Sequence, residues 1–161
     1  QKVYEGLDGN DQSLVETSLF LGIEMDPLKD NPQQGDFLIR NIMGADRESG
    51  GIQVGAMLRE GQLVQFHLRD KDMSAEDLRL VLNHYKNKGH SKKASGALLF
   101  SCLGRGQYLY GKPNHDSDMF RDQLGDIPLG GFFCNGEIGP VGKTTFLHGY
   151  TSSFGIFHPA H

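Results

Sequence analysis

The chain has 161 residues, a net charge of −4 and 37% hydrophobic residues, which suits a domain with a sizeable core. Lys and Arg are interspersed with acidic residues, so no basic stripe exists and nucleic acid is not a predicted partner. The apolar runs are all shorter than the roughly 20 residues that a membrane-spanning helix needs, so no membrane span is predicted. We therefore expect one compact, soluble domain.

The first half of the chain predicts a polar lead-in followed by strands. Residues 1–17 carry only a weak helical signal around Leu14 and are interpreted as a lead-in or linker, with the domain itself over residues 18–158. Apolar runs separated by turn residues then predict four strands. In chain order these are Leu19–Met25, Asp36–Met43, Gly51–Leu58 and Leu63–Leu68. The short turns between the last three are typical of an antiparallel meander.

The middle of the chain predicts a long helix and a buried strand. Ser74 is a suitable N-cap, Gly89 is a suitable C-terminal stop, and the apolar residues between them recur at helical spacing, so the helix is expected over about Ala75–Lys88. Residues 90–93 are expected to form a solvated loop. The continuous apolar run Ala97–Cys102 is typical of a central strand covered on both faces.

The last third predicts a short helix and two strands. The helix is expected over Ser117–Leu124, with Met119, Phe120 and Leu124 pointing inward and Gly125 at its end. The strands are expected over Leu129–Asn135 and Thr145–Phe157. The predicted fold is α+β, with a largely antiparallel mixed sheet of six or seven strands covered by one long and one short helix.

Two glycine-containing runs resemble nucleotide-binding motifs but lack residues that those motifs require. Gly142-Lys143-Thr144 resembles the end of a P-loop, yet Glu137 stands where that motif needs glycine, and an aromatic strand follows instead of a helix. Gly104-Arg105-Gly106 resembles part of a dinucleotide loop, but its third glycine is replaced by Leu109. No cofactor is predicted.

The two cysteines lie at the ends of predicted apolar strands. Cys102 and Cys134 lack CxxC spacing, which favours buried free thiols in a reducing compartment over a disulfide. With His148 they could form a nucleophilic pair or a metal site. The favoured alternative is that both thiols pack in the interior and that His148 bonds to a backbone carbonyl.

The stretch from Leu129 to Phe157 contains few polar residues, and these are the main candidates for a binding site. Glu137 and Arg105 stand at glycine-flanked strand ends, where they could recognise the two charged ends of a small zwitterion beside a wall that includes Phe132, Phe133 and Phe146. The alternative is a structural salt bridge, either between them or with a neighbour such as Asp116. The predicted ligand-binding residues are Cys102, Arg105, Cys134, Asn135, Glu137 and His148; no catalytic or metal-binding residue is predicted.

Three separated blocks carry a resemblance to a known family. They are FHLRDKDMSAEDL (Phe66 to Leu78), GALLFSCLGRG (Gly96 to Gly106), and GGFFCNGEIGPV with FLHGYTSSFGIF (Gly130 to Val141 and Phe146 to Phe157). Together they resemble the C-terminal half of FIST proteins, the F-box and intracellular signal transduction sensory domain, in its cyanobacterial and plastid-lineage type.

The resemblance implies an intracellular sensory module, in the cytoplasm or the plastid stroma, that binds small ligands such as amino acids without catalysis. It also implies a partner, the N-terminal FIST domain of the same protein. One alternative is a structural or interaction subunit of a larger protein assembly, for example a photosynthetic or plastid one. A cysteine-dependent enzyme is the least favoured alternative.

Overall fold

The structure, a computed structural model, describes residues 2–46, 48–89, 94–141 and 143–160. Contacts between residues divide the chain into two compact units, Gln1–Asp70 and Lys71–His161. The predicted lead-in over residues 1–17 and domain over residues 18–158 stay a prediction. Each sheet is formed by strands of a single unit, which is why the chain divides in this way. The predicted loop at residues 90–93 and Gly142 of the GKT run lie outside the described residues.

The first unit contains two helices and four strands in the part that the structure describes. They are α1 Lys2–Glu5, α2 Gly9–Ser18, β1 Leu19–Glu24, β2 Phe37–Ala45, β3 Ile52–Val54 and β4 Val64–Leu68. The weak helical signal of the lead-in understates α2, a helix of ten residues. Asp8 is the reason, because its side chain accepts a hydrogen bond from the Asp11 N–H at 2.8 Å and so caps the helix.

The strand order of the first unit is β3-β2-β1-β4, with every neighbouring pair antiparallel. The predicted meander is wrong in one respect, because β4 pairs with β1 and not with β3. Only Ile52–Val54 of the predicted third strand pairs with β2, across a register shift between Ile42 and Gly44. By contrast β1 is buried along most of its length, as expected of a strand with a partner on each side.

The second unit contains three helices and five strands within the described residues. They are α3 Lys71–Asn87, β5 Gly96–Cys102, α4 Gln107–Tyr110, α5 His115–Leu124, β6 Leu129–Cys134, β7 Glu137–Val141, β8 Thr144–His148 and β9 Ser152–Phe157. One sheet has the order β6-β5-β9, and β7 and β8 form a hairpin. The pair β5 and β6 is parallel and the pair β5 and β9 is antiparallel. The α+β fold class is confirmed, although its strands form three sheets.

The two helices near the site begin earlier than predicted. α3 starts at Lys71, so Ser74 is not its N-cap but a residue within its first turn, where its hydroxyl is free to bond to groups outside the helix. α5 starts at His115, so His115 and Asp116, which precede the predicted start at Ser117, belong to its first turn. The predicted stop at Gly89 is confirmed: it follows the end of α3, has φ +77° and donates to the Lys86 carbonyl.

The two predicted final strands are four strands in the structure. β7 occupies a Gly- and Pro-containing segment that lies between the two predicted strands. It pairs in register with β8. The run from Thr145 to Phe157 breaks between β8 and β9, where Tyr150 has a left-handed φ of +60°. This break turns the last strand back toward β5.

The core of the second unit lies between its helices and its larger sheet. Leu78, Leu82, Ala97 and Phe120 are its buried members, and each larger side chain contributes about 1.5–3 kcal/mol by leaving water. Phe120 stacks on Phe154 of β9 with ring centroids 5.4 Å apart. The predicted inward direction of the apolar residues of α5 is confirmed. Among the described residues, no helix is long and apolar enough to cross a membrane.

Candidate ligand-binding site

A cavity of about 360 Å³ lies in the second unit, where β5 and β6 meet the first turn of α5. The parallel register of the two strands brings Leu99 opposite Gly131, and Ser101 opposite Phe133. Apolar groups on the strands and polar groups on the helix therefore share one space. The residues that line it are Leu99, Ser101, Gly106, Asn114, His115, Asp116, Ser117, Leu129, Gly130, Gly131, Phe132 and Phe133.

Gly131 allows β5 and β6, the two strands that line the cavity, to lie close together. A Cβ at this position would fall 1.9 Å from the Leu99 carbonyl oxygen, and its φ is +152°. Any side chain here would therefore push β6 away from β5. The exposed face of β6 and the cavity wall both depend on this glycine.

Asp116 is the centre of a buried hydrogen-bond network on the helix side of the cavity. Its carboxylate accepts from Arg105 twice, Nε to Oδ2 at 2.8 Å and Nη2 to Oδ1 at 3.0 Å. The hydroxyls of Ser101 and Ser152, register partners on β5 and β9, also donate to Oδ2. His115 bonds to Oδ1 through Nδ1 at 3.0 Å. Five donors thus converge on one carboxylate.

The charge of this network is set by the ion pair between Asp116 and Arg105. Burial alone would raise the pKa of Asp116. The hydrogen bonds and the charge of Arg105, together with the hydrogen bonds of Ser152 and His115, outweigh this effect and lower the pKa to about 2. Burial lowers the pKa of Arg105, and the bonds and charge of Asp116 reverse this effect so that the net shift is upward. Both groups are ionised at neutral pH, and together they present no net charge to the cavity.

Aromatic stacking and a hydroxyl relay fix the neighbouring side chains. The ring of Tyr110 stacks on that of His115, with centroids 3.4 Å apart and an angle of 11°. Arg105 Nη1 donates to the Ser74 hydroxyl at 3.0 Å, and that hydroxyl lies 3.1 Å from the Tyr110 hydroxyl. Because each ring and hydroxyl has a defined partner, the polar wall is preorganised.

Arg105 and Glu137, the predicted pair of anchors, have separate partners. The predicted alternative of a salt bridge between Arg105 and Asp116 is confirmed. Glu137, with 1% of its surface exposed, accepts from the N–H and the hydroxyl of Thr151 at 3.3 and 3.0 Å. It also accepts from the Cys134 thiol at 3.4 Å.

The other predicted site residues lie around the hairpin end of the second unit. Cys102 and Cys134 are register partners at the ends of β5 and β6, and both are free thiols, as predicted. His148 bonds to the Gly139 carbonyl through Nε2 at 3.0 Å, which confirms the favoured alternative for that side chain. Asn135 is exposed. None of the six predicted residues is among those that line the cavity, so their role in ligand binding stays a prediction.

Sequence reasoning missed the polar wall of the cavity. Ser101 is a single hydroxyl inside the apolar run ALLFSC, and His115 and Asp116 follow an asparagine and a proline, a pattern typical of a turn. The signal that could have found them is the buried polar residue itself, which needs a partner. Two predicted wall residues, Phe132 and Phe133, do line the cavity, whereas Phe146 is not among its lining residues.

A metal site is not formed by the part of the chain that the structure describes. Within those ranges no group of three or more His, Cys, Asp or Glu side chains is arranged to hold a metal ion. The thiols of the second unit instead bond to backbone and to Glu137.

The fold and the cavity define an α+β protein with a polar and an apolar wall around a ligand-sized space. The FIST C domain family matches residues 2–140. The chain belongs to this family, as the sequence blocks predict. The finer resemblance to a cyanobacterial or plastid-lineage type stays a prediction.

Relatives include bacterial and plant proteins. An uncharacterized protein of Mycobacterium bovis is 40% identical over 157 residues, which cover 98% of this chain and 40% of the relative. An uncharacterized protein of Mycobacterium tuberculosis strain H37Rv is 41% identical over 157 residues, which cover 98% of this chain and 41% of the relative. An F-box/LRR-repeat protein of Arabidopsis thaliana is 27% identical over 142 residues, covering 79% of this chain and 27% of the relative. The chain thus spans about two fifths of the length of these mycobacterial relatives.

Proposed function

We propose that the chain is a non-catalytic sensory domain that binds a small metabolite inside the cell, an amino acid or a related compound, as part of signal transduction. The cavity between β6 and α5 is its binding site. The observation that carries the proposal is a space of about 360 Å³ that is lined by buried polar side chains together with aliphatic and aromatic side chains. Membership of the FIST C domain family supports the sensory role.

The size and lining of the cavity suit a small molecule. Pockets for such ligands are mostly apolar, with a few polar groups that fix orientation. Leu99, Leu129 and Phe133 supply apolar contact, and Ser101 and His115 supply polar atoms that the Asp116 network holds in place. A preorganised wall loses little conformational entropy when a ligand binds.

The surroundings of the thiols support a role without catalysis. Burial and the hydrogen bond to Glu137 raise the pKa of Cys134, whereas a nucleophilic cysteine needs a lowered pKa. His148 already uses Nε2 on the Gly139 carbonyl and is not positioned by that bond to activate a thiol. The surroundings of the thiols therefore favour a ligand-binding function over catalysis of acyl or thiol transfer.

A thermal-shift screen against amino acids and related metabolites tests the proposal. Ser117→Phe fills the cavity from α5, and Asp122→Phe places the same side chain at an exposed position of the same helix. We expect a ligand that raises the melting temperature of the wild type and of Asp122→Phe but not of Ser117→Phe. Equal shifts in both variants, or no shift of the wild type by any compound, would contradict the proposal.

A second candidate function, an interaction module of a larger protein, is favoured by the edge strand of the sheet. β6 pairs only with β5 among the described strands, and Phe132 and Phe133 on it are more than half exposed. The N-terminal FIST domain of a longer protein is the partner that this candidate names. Co-expression with that domain tests this candidate function. We expect a stable complex, and we expect Phe132→Ser to weaken it. Two proteins that elute separately in size-exclusion chromatography would exclude this function.

A further inference from the structure

We propose that Nε2 of His115 is the atom that selects the ligand, so that the cavity prefers molecules with an uncharged N–H or O–H donor, such as a primary carboxamide, over carboxylates. This inference rests on the proposed binding function of the cavity. It assigns a chemical class to the ligand and a specificity-determining role to a residue that the sequence does not single out.

The first step is that Asp116 has no capacity left for a ligand. A carboxylate offers about four lone-pair sites, and here five donors from Arg105, Ser101, Ser152 and His115 already occupy them. The charge of Asp116 is balanced by Arg105 in the same network. A cationic group on a ligand would therefore find neither a free carboxylate oxygen nor a net negative charge on this wall.

The second step concerns the tautomer of His115. The carboxylate of Asp116 is ionised and can only accept, so the 3.0 Å contact between Nδ1 and Oδ1 places a proton on Nδ1. In the neutral ring Nε2 is then an acceptor. The stacked ring of Tyr110 holds this orientation.

The third step is that this acceptor is available to a ligand. Only 7% of the surface of His115 is exposed, its side chain lines the cavity, and its ring bonds to Asp116 through Nδ1, which leaves Nε2 on the other side of the ring. A donor that reaches Nε2 forms a hydrogen bond in a partly desolvated site, where such a bond is stronger than in water. A ligand carboxylate has only acceptors, so its negatively charged oxygens would be repelled by the lone pair of Nε2.

The apolar wall fixes the other end of the ligand. Leu99, Leu129 and Phe132 also line the cavity, so the preferred molecule carries an aliphatic or aromatic group beside its donor. Benzamide and benzoate share this shape, but benzamide is uncharged and carries an N–H donor, whereas benzoate is an anion with acceptors only. They are the probes for the test.

Binding of the two probes is measured by NMR titration of the wild type and of His115→Asn. The asparagine amide can still donate to Asp116 but cannot reach the position of Nε2. We expect the wild type to bind benzamide about tenfold more tightly than benzoate, which corresponds to one good hydrogen bond. His115→Asn should lose most of this preference, because benzamide loses its hydrogen bond to Nε2 and benzoate no longer faces that atom.

A ring ¹⁵N spectrum of the wild type makes the test independent of the variant. It should show His115 with a proton on Nδ1 only, and the Nε2 signal should move when benzamide is added. Benzoate binding that equals or exceeds benzamide binding, or a proton on Nε2 without ligand, would overturn the inference while leaving the binding site intact. Failure of both probes and of every metabolite to bind in the cavity would overturn the proposed function as well.

Discussion

Asp116 and Glu137 are both buried carboxylates of the second unit, but different kinds of donor surround them. Asp116 has a bidentate ion pair with Arg105 in addition to neutral donors, and it faces the cavity. Glu137 is bonded to Thr151 and Cys134, which are neutral donors, and it lies outside the cavity lining. The ion pair balances the charge of Asp116, whereas the Glu137 cluster ties the start of β7 to the residue before β9.

Removal of Arg105 should have the largest effect, because it leaves the Asp116 charge buried without its cation. We expect Arg105→Met to lower the free energy of unfolding by about 3–5 kcal/mol, as measured by urea denaturation. Arg121→Ala is the matched control, since Arg121 is exposed and lies 3.5 Å from the exposed Asp118. The control should stay within about 0.5 kcal/mol of the wild type.

A double variant makes this prediction sharper. Arg105→Met with Asp116→Leu removes both charges, so it should recover a large part of the stability that the single variant loses. A single variant as stable as the control, or a double variant less stable than the single one, would show that the ion pair is not the main element of this region.

The pH dependence of stability should report the ion pair of Asp116. The pKa of Asp116 is held at about 2, against an ordinary value of 3.8, because the bonds and charge of Arg105 outweigh the effect of burial. A lowered folded-state pKa stabilises the protein above the unfolded pKa, and this contribution is lost as the pH falls from about 4 to about 2. Its size is about 2 kcal/mol.

Urea denaturation at several pH values between 2 and 6 measures this contribution. Asp116→Asn should remove the corresponding part of the slope, since the amide does not titrate. If the variant and the wild type lose stability in parallel over this range, the pKa of Asp116 is not the source of the slope.

The Glu137 cluster should respond less to the loss of one donor. Thr151→Val removes the hydroxyl that donates to Glu137 at 3.0 Å but keeps the backbone N–H. We expect a loss of about 1 kcal/mol in the free energy of unfolding. Thr145→Val, at an exposed position of β8, is the control. A loss as large as that of Arg105→Met would mean that the two carboxylate sites are equally important to stability.

The smallest expected effect is on the reactivity of Cys134. Burial and the bond to Glu137 raise the pKa of this thiol, so alkylation at neutral pH should be slower than for a free thiol. Glu137→Gln removes the neighbouring negative charge and should speed alkylation by about threefold. Mass spectrometry in a Cys102→Ser background measures the rate. A rate that is unchanged or slower in the variant would contradict this effect of Glu137.

Local patterns in the sequence predict much of the fold. The apolar runs of β1 and β5 and the helix that Gly89 ends are visible because burial and backbone conformation leave a direct mark on composition. The pairing of β4 with β1 is not visible, because strand order depends on contacts between residues far apart in the chain. The helix α2 is missed for a different reason, since its stability depends on a cap at Asp8 more than on an apolar face.

The candidate site could be predicted only in part. Arg105 is identified from its glycine-flanked position, and its pairing with Asp116 is among the alternatives that the sequence suggests. Its convergence with Ser101, Ser152 and His115 depends on the register of β5 and β9 and on the start of α5. No local pattern encodes that convergence, so the polar wall of the cavity emerges only in three dimensions.

The most direct test of the binding cavity is the set of intermolecular NOEs between the chain and the compound that gives the largest thermal shift. The account predicts NOEs from that compound to Leu99, Leu129 and Phe133, on the two strands that line the cavity. NOEs confined to Thr151, His148 and the neighbours of Glu137 would contradict it.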